Sequence, residues 1–287
     1  MRNDFAVFIL AHGRPDKLVT VNTLLKGGYT GKYYIILDDG DKTIDGYKEK
    51  FGEEHILIFN KAKTLETFDI MDNFQDDKVV VFARNVCFDF ARELGLTYFA
   101  EFEDDYELFA YRYPDGNTLR HIDASPDLDE IFNITIDFLN DTKARTVAFA
   151  QAGEMMGGTN GQVWKKRLKR KAMNTFFFKV GTPEEDIKFI GRFNDDVNTY
   201  VSLGSRGELF LQFANMNLDQ TLTQKKTGGN TDAYLQYGTY VKSFYSVMCN
   251  PSSVKISMMG ETHRRIHHAV DWEHTVPKII SDKYKKK

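Results

Sequence analysis

The first hundred residues alternate between short, nearly continuous apolar runs and stretches in which apolar residues recur every three or four positions. Apolar runs of this length are typical of strands buried on both faces of a sheet, and the three- to four-residue spacing is typical of amphipathic helices. The predicted strands cover residues 5–10, 33–37, 55–59 and 97–102, and the predicted helices follow Pro15 and cover 43–52 and 79–94. This order predicts an α/β fold with a doubly wound, mostly parallel central sheet and helices on both faces.

The rest of the chain is less regular, although no proline-rich linker separates it from the first part. Residues 61–77 are expected to form an irregular surface segment. Further along, the pattern predicts a hairpin or polar loop at 111–125, helices at 128–139 and 231–246, and strands at 146–150, 175–179, 201–213 and 254–259. We therefore expect a single domain, residues 1–287, with two halves at 1–110 and 111–287, the second containing a smaller subregion.

Composition narrows the class of protein. Hydrophobic residues make up 42% of the chain and aromatic residues 14%, which supports a buried core and excludes global disorder. Cys87 and Cys249 are the only cysteines, which excludes a disulfide scaffold and favours a reducing compartment, and we expect both in the core. No apolar run reaches membrane-spanning length and no signal-peptide core follows Met1. These features predict a soluble cytoplasmic protein without a membrane partner.

Polar residues follow each predicted strand, at 11–14, 38–41, 60–61 and 103–105. The carboxyl ends of parallel strands meet at one edge of a doubly wound sheet, which is where such folds bind their ligands. A glycine-rich GxGxxG turn does not follow the first strand, which disfavours a dinucleotide-binding version of the fold. The ligand crevice is therefore expected to be polar, without a glycine-rich phosphate loop.

Three consecutive carboxylates, Glu103, Asp104 and Asp105, close the fourth predicted strand. Buried anions need a cation, and a divalent metal fits carboxylate oxygens, although a solvated acidic loop is the alternative. Aspartates after the second strand suit a nucleoside, arginines suit phosphates, and a metal bridging a diphosphate would complete a site for a nucleoside-diphosphate sugar. The candidate donor-binding residues are Ala11, His12, Gly13, Arg14, Asp38, Asp39, Asn60, Arg84, Glu103 and Asp104.

Two further segments carry candidate chemistry. Asp195 and Asp196 form a second acidic pair, which either supplies a catalytic base or caps the following helix. Six of the eight residues at 164–171 are basic in a chain of net charge −3, which indicates either DNA contact, with the tryptophan stacking on a base, or a solvated helix face. The candidate nucleic-acid residues are Trp164, Lys165, Lys166, Arg167, Lys169, Arg170 and Lys171.

Four short motifs resemble those of a known superfamily. They are HGRPD at 12–16, FEDDY at 102–106, NDDVN at 194–198, and the tail from HRRIHH to PKIISDKYKK at 263–286. The chain resembles GT-A-type glycosyltransferases, with the acidic triplet at 103–105 standing where that superfamily carries its Asp-x-Asp metal motif. It resembles more narrowly the phage-encoded, TET-associated glycosyltransferases that modify hydroxymethylated pyrimidines in DNA. A glutamate in place of the first aspartate is the departure from the pattern.

This resemblance implies a GT-A-like fold with the nucleotide-sugar site in 1–110 and the acceptor and catalytic site in 111–287. It also implies a UDP-type donor, Mn²⁺ or Mg²⁺, and double-stranded DNA carrying a hydroxymethylated pyrimidine as the acceptor of a hexosyl or pentosyl group. For a phage-encoded protein the compartment is the host cytoplasm. The implied metal ligands are Asp105 with His268, or His263 as the alternative, and Asp196 is implied ahead of Asp195 as the catalytic base.

Three other functions remain open from the sequence. One is a GT-A glycosyltransferase that acts on a polysaccharide or a protein. Another is a nucleotidyltransferase, which shares the sheet and the carboxylates. The third is a DNA-binding module whose sugar site is inactive.

Overall fold

A nine-stranded sheet forms the centre of the computed structural model, which describes residues 1–74, 79–155, 157–161, 164, 171–220, 234, 236–238, 240–260, 264–275 and 282–285. The strands are β1 (Phe5–Leu10), β2 (Lys32–Asp38), β3 (Ile56–Phe59), β4 (Tyr98–Glu103), β5 (Tyr106–Asp115), β6 (Thr118–Asp123), β7 (Thr146–Gln151), β8 (Phe176–Lys179) and β9 (Phe210–Gln220). Their order is β3-β2-β1-β4-β8-β7-β9-β5-β6. The pairings leave β5 and β8 running against the other strands, so the expectation of a mostly parallel sheet is confirmed.

Helices cover this sheet on both faces, as expected. They are α1 (Thr20–Lys26), α2 (Ile44–Phe51), α3 (Lys61–Leu65), α4 (Val81–Glu93), α5 (Leu128–Thr142), α6 (Asp195–Ser205), α7 (Val241–Cys249) and α8 (Trp272–Thr275). A separate two-stranded antiparallel ribbon, β10 (Val254–Met259) and β11 (Arg265–Val270), packs against α7. The ribbon and α7 form the smaller subregion.

The two hydrophobic cores explain why the first strand has no polar position. Phe5, Val7 and Ile9 belong to the core under α1 and α5, whereas the alternate residues of β1 belong to the core under α4 and α6. No residue of β1 is more than 4% exposed. A strand buried on both faces needs apolar side chains at every position, which is the origin of the continuous apolar runs.

Three segments differ from the prediction. Residues 201–213 were expected as a strand, but α6 continues to Ser205 and β9 begins only at Phe210. Val197, Val201 and their neighbours are buried at helical spacing against the sheet, so tertiary packing overrides their β propensity. The helix expected at 231–246 is described as α7 from Val241 to Cys249, and 61–77 includes the short helix α3.

Parallel pairing of β1 with β2, β2 with β3, and β1 with β4 brings the carboxyl ends of these four strands to one edge. We call the surface at this edge, formed by the loops that follow these four strands, the crevice. The polar residues after the predicted strands therefore lie on one side of the sheet. The fold thus supplies the common edge on which the candidate site depends.

Candidate active site

Asp38, at the end of β2, holds together the groups on that side of the crevice. Its carboxylate lies 2.6 Å from His12 Nδ1 and 2.9 Å from Lys61 Nζ, and it accepts a hydrogen bond from the Gly40 backbone N–H at 3.0 Å. Burial would raise the pKa of Asp38, but the hydrogen bonds from His12 and Lys61 outweigh it and hold the pKa well below its usual value. Asp38 is therefore an anion at neutral pH that fixes His12 and Lys61 in place.

Asp39, in contrast, is exposed and faces the crevice. Asn60 Nδ2 donates to Asp39 Oδ2 at 2.6 Å, while Asn60 Oδ1 accepts from the Lys63 N–H at 2.8 Å and caps α3. Between them these contacts fix the direction of the Asp39 carboxylate. An exposed carboxylate held in this way is suited to accept hydrogen bonds from ribose hydroxyls.

Asp41 is a residue that the sequence analysis did not single out. Its Oδ2 accepts a hydrogen bond from the Gly13 N–H at 2.7 Å, and its Oδ1 accepts one from the Thr43 N–H at 2.8 Å. Gly13 has a φ of 72°, a left-handed conformation that favours glycine. Asp41 therefore ties the loop after β1 to the loop after β2. The acidic Asp-Asp-Gly-Asp run at 38–41 was the available signal.

Arg14 and Asp104 form a two-pronged ion pair. Arg14 Nε and Nη2 each lie 2.7 Å from an oxygen of Asp104, and the Asp104 side chain is only 2% exposed. The Asp104 carbonyl also accepts from the Val19 N–H at 2.9 Å, which fixes the entry to α1. The structure thus commits Arg14 and Asp104 mainly to each other, whereas the sequence analysis assigned both to the donor.

Arg84, on α4, is enclosed by three carboxylates. Its Nε lies 2.8 Å from Asp195, its Nη2 lies 2.9 Å from Glu103, and its Nη1 lies 3.6 Å from Glu101. The guanidinium is 2% exposed and lies over the ring of Phe176. Arg84 was expected to contact phosphates, but in this structure it neutralises carboxylates inside the protein.

Negative charge exceeds positive charge around Arg84. Burial raises the pKa of Glu101 and Glu103 to about 8 and that of Asp195 to about 6, because Arg84 offsets only part of the cost of burying them. The charge of Asp105, which is half-buried, contributes to the raised pKa of Glu103. We call Glu101, Glu103, Asp105, Asp195 and Asp196 the acidic cluster. Such an excess favours binding of a proton or of a cation.

Asp195 and Asp196 begin α6 but have different surroundings. The helix N-cap is Asn194, with a φ of 53°, so the alternative that the second aspartate is the cap is wrong. Asp195 is 4% exposed and paired with Arg84, whereas Asp196 is half-buried and accepts from the Val197 N–H at 2.7 Å. Burial raises the pKa of Asp196. Asp196 is therefore the member of the pair that combines access with a raised proton affinity, as a general base requires.

Asn194 joins three elements beside this pair. Its Nδ2 lies 2.8 Å from the Lys242 carbonyl, 3.0 Å from Ser246 Oγ and 3.1 Å from His268 Nδ1. The structure thereby brings His268 to the start of α6, and His263 lies outside the described residues. Asn194 was missed as a site residue. The signal was an asparagine directly before an acidic pair, since asparagine tolerates the left-handed conformation.

A second asparagine, Asn85, holds the chain that leads into this region. Asn85 Oδ1 accepts from the Phe189 N–H at 2.9 Å, and Asn85 Nδ2 donates to the Phe189 carbonyl at 2.9 Å. Further along, Arg192 makes a two-pronged ion pair with Asp72 at 2.7 and 2.9 Å. These buried contacts position the segment before Asp195 and Asp196.

The basic segment is described only at its ends. Trp164 is half-buried, and Lys171 Nζ lies 2.5 Å from Glu154 Oε1. The positive charge of Lys171 also acts on Asp196, where it lowers the pKa against the effect of burial. The other five candidates, Lys165, Lys166, Arg167, Lys169 and Arg170, lie outside the described residues. The segment therefore ends close to the acidic cluster.

Two negative findings concern metal sites and membrane spans. Within the described part of the chain, no three His, Cys, Asp or Glu side chains converge as a metal-binding group. In that same part, none of the helices has the length and apolar character needed to cross a membrane.

Comparison with known proteins gives one family match. A family model described as TET-associated glycosyltransferase matches residues 5–229, whereas no curated protein matches the chain. Similar solved structures include glucosyl-3-phosphoglycerate synthase from Mycobacterium tuberculosis with Mn²⁺ and UDP-glucose, at 10% identity, 93% coverage of this chain, 87% coverage of that chain and a TM-score of 0.46. The complex of that protein with Mg²⁺ and UDP has 9% identity, 93% and 88% coverage and a TM-score of 0.42. No residue role or ligand carries over from proteins this distant.

Proposed function

Since the chain belongs to the TET-associated glycosyltransferase family, we propose that it transfers a sugar from a UDP-type donor to the hydroxymethyl group of a 5-hydroxymethylpyrimidine in DNA. Family membership makes the chain a glycosyltransferase, and the donor, the acceptor and the residue roles are our proposals. The observation that carries them is Asp196, a half-buried member of the acidic cluster with a raised pKa, at the start of α6. No other described acid combines these features with a neighbouring ion pair that holds its helix in place.

In the proposed reaction, Asp196 accepts the proton of the acceptor hydroxyl. The hydroxyl oxygen then forms a bond to the anomeric carbon of the sugar, and the bond from that carbon to the diphosphate breaks. UDP leaves as the anion, and the proton stays on Asp196 until solvent removes it. General-base catalysis of this kind typically contributes about 10²- to 10⁴-fold in rate. Asp195 acts as a positioning residue, because its ion pair with Arg84 holds the first turn of α6.

The donor nucleoside would lie over the carboxyl ends of β2 and β3. Asp39 is the exposed acceptor there, and the Asn60 amide holds its carboxylate in position. The network of His12, Asp38 and Lys61 forms the wall behind it. Because these groups are already paired to one another, donor binding requires little rearrangement on this side.

A divalent metal fits the acidic cluster by the chemistry of its donors. Carboxylate oxygens suit Mg²⁺ and Mn²⁺, and Mg²⁺ is commonly held by one or two carboxylates together with substrate phosphates. Asp105 is the half-buried carboxylate next to Glu103, whose pKa is raised by burial and by the negative charges of Asp105, Asp195 and Asp196. We assign Asp105 as the protein ligand. When bound, the metal would offset the charge of the departing diphosphate.

Replacing Asp105 with Asn is expected to weaken metal binding and so to abolish metal-dependent sugar transfer. The reason is that the amide keeps the shape of the side chain but loses the charge that binds a hard cation. Titration of Mn²⁺ followed by electron paramagnetic resonance in the presence of UDP measures the Mn²⁺ affinity directly. Asp89→Asn is the matched control, because Asp89 is exposed on α4 and pairs only with Arg92 at 2.6 Å among the described contacts. Unchanged Mn²⁺ affinity in Asp105→Asn would contradict the assignment.

A cationic face on the β10–β11 ribbon supports DNA as the acceptor. The register pairs Lys255 with Ala269, Ser257 with His267 and Met259 with Arg265. Side chains alternate between faces of a strand, so the cations Lys255 and Arg265 lie on the same face. Residues 240–260 and 264–270 contain four Lys or Arg and no acid, in a chain of net charge −3. A face of this kind is complementary to a phosphate backbone.

Neutralising one cation of this face is expected to weaken DNA binding in a salt-dependent way. For Lys255→Gln, the slope of log affinity against log salt concentration should fall by about 1, because one phosphate contact is lost. Fluorescence anisotropy with a labelled duplex measures the slope. Lys143→Gln is the control, since Lys143 is exposed before β7, at the opposite edge of the sheet. Equal slopes in the wild type and Lys255→Gln would place the DNA elsewhere.

The proposed function is tested by supplying UDP-[¹⁴C]glucose and Mn²⁺ with three acceptors. These are DNA containing 5-hydroxymethylcytosine, the same DNA without the modification, and a polysaccharide. Label on modified DNA alone supports the proposal. Label on the polysaccharide indicates the other glycosyltransferase function, and retention on DNA without transfer indicates a binding module. Exchange of pyrophosphate into the nucleotide would indicate a nucleotidyltransferase.

A further inference from the structure

The two arginines expected to bind the donor phosphates are both paired with carboxylates. Arg14 is closed on Asp104, and Arg84 is enclosed by Asp195, Glu103 and Glu101. A diphosphate still requires positive charge and hydrogen-bond donors at the crevice. His268 and Arg265 on the ribbon, with Lys242 on α7, are described groups that can supply them.

The orientation of the Asn194 amide fixes the protonation of His268. A backbone carbonyl only accepts hydrogen bonds, so the atom 2.8 Å from the Lys242 carbonyl must be the amide nitrogen. That same nitrogen lies 3.1 Å from His268 Nδ1. A proton on Nδ1 would face an N–H donor, so Nδ1 carries the lone pair. In neutral His268 the proton therefore resides on Nε2.

This arrangement is the reverse of that at a typical metal site. A histidine that binds a metal usually donates its other ring N–H to a carboxylate, a carbonyl or water. Here Nδ1 accepts a hydrogen bond from Asn194, and Nε2 bears the proton. A metal would need the lone pair that only Nδ1 offers, and Asn194 already occupies that side. The hydrogen bonds therefore make His268 a donor.

The surrounding charge leads to the same conclusion. Burial, together with His267, Lys242 and Lys171, lowers the pKa of His268 to about 3. Burial and the charge of Arg265 lower the pKa of Lys242 as well. Cations thus accumulate on this side of the site, whereas the carboxylates accumulate around Arg84. A positive potential disfavours a divalent cation and favours an anion.

We propose that His268 donates its Nε2–H to an oxygen of the donor diphosphate, with Lys242 supplying positive charge, and is not a ligand of the metal. The proposal rests on the proposed nucleoside-diphosphate sugar donor. It divides the crevice into a cation site at the acidic cluster and an anion site at His268. The sequence analysis had assigned His268 to the metal, and it is the Asn194 contact that reverses the assignment.

The first test observes the imidazole itself in the wild-type protein. Nitrogen-15 NMR of the histidine-labelled full chain, with His268→Gln used for assignment, reports which ring nitrogen carries the proton. We expect the Nε2–H tautomer in the free protein and with Mg²⁺ and UDP bound. An Nδ1–H tautomer, or loss of the Nε2 proton when Mg²⁺ and UDP bind, would overturn the proposal.

The second test compares two replacements of His268. His268→Gln keeps an N–H donor at similar reach, whereas His268→Asp offers a metal-binding carboxylate but no donor. We expect His268→Asp to weaken UDP binding on the order of tenfold or more in the absence of metal, as loss of a charge-assisted hydrogen bond predicts. His268→Gln should stay within about threefold of the wild type. Isothermal titration calorimetry measures both, with circular dichroism to verify folding.

Mn²⁺ affinity separates the two roles of the residue. It is expected to be the same in His268→Gln as in the wild type, and a large loss in that variant would restore the metal assignment.

Inorganic pyrophosphate separates this proposal from the proposed function. If the wild type binds pyrophosphate through His268 but not UDP, the anion site stands and the UDP-type donor is wrong. If His268→Asp binds UDP as the wild type does, the anion site is wrong and the proposed function is unaffected.

Discussion

Replacing Asp196 with Asn is expected to lower kcat for sugar transfer by about 10²- to 10⁴-fold, the usual contribution of a general base. The amide cannot accept the proton of the acceptor hydroxyl at neutral pH. Donor affinity should change little, because Asp196 is assigned to the acceptor and not to UDP. Single-turnover rates and UDP titration together separate the chemical step from binding.

The pH profile gives an independent readout of the same group. A base must be deprotonated, so kcat/KM should fall as pH falls through the pKa of Asp196. Burial raises that pKa above the usual aspartate value of 3.8, which moves the acidic limb of the profile upward. In Asp196→Asn this limb should disappear from the residual activity. The effect would be diagnostic because a purely structural role leaves the limb in place.

Glu130→Gln is the matched control for the loss of charge at a helix start. Glu130 lies in the first turn of α5, as Asp196 lies in the first turn of α6, and it is exposed. Removing its charge loses a similar helix-dipole interaction, which is typically about 0.3–1 kcal/mol, without touching the crevice. Near-wild-type transfer in Asp196→Asn, or an equal loss in Glu130→Gln, would exclude Asp196 as the base.

The second large effect is expected on stability. Arg84→Met should lower the free energy of unfolding by about 3–5 kcal/mol at neutral pH, the usual result of removing one partner from a buried ion pair. Glu101, Glu103 and Asp195 would lose the one cation described among them. Methionine keeps much of the volume, so the effect reports mainly charge. Urea unfolding followed by circular dichroism measures it.

The sign of the pH dependence follows from the raised pKa values. The pKa values of Glu101 and Glu103 are about 8 in the folded protein, against 4.5 for the unperturbed group. Such groups bind more protons when folded, so their contribution to stability is greatest below pH 4.5 and is lost as pH rises toward 8. Without Arg84 these pKa values rise further. The gap in stability between Arg84→Met and the wild type should therefore widen as pH rises through about 6, where Asp195 ionises in the wild type, and again above about 8, where Glu101 and Glu103 do.

Arg92→Met provides the comparison on the same helix. Arg92 pairs with Asp186 and Asp89, but its side chain is 24% exposed, so solvent screens these pairs. The expected loss is about 1 kcal/mol or less. If Arg92→Met were as damaging as Arg84→Met, or if the gap for Arg84→Met narrowed with rising pH, the acidic cluster would not be the source of the effect.

The sequence by itself determined the fold class and the position of the crevice. Strands buried on both faces require continuous apolar runs, so residues 5–10 and 97–102 were identifiable without partners. Because parallel strands end at a common edge, the polar residues after each strand marked the ligand side. The sequence also nominated Asp39, Asp105 and Asp196, the residues on which the proposed function depends. These features follow from local pattern and chain order alone.

Only the tertiary structure decided which of these residues are paired with one another. Asp104 is closed on Arg14, 90 positions away, and His268 meets Asn194, 74 positions away. In the sequence, Asp195 and Asp196 are equivalent neighbours, yet Asp195 is buried against Arg84 and Asp196 is half-buried. The charge and proton position of a side chain depend on groups that folding brings near it. Sequence spacing therefore identified the candidates, and long-range contacts decided how they are paired.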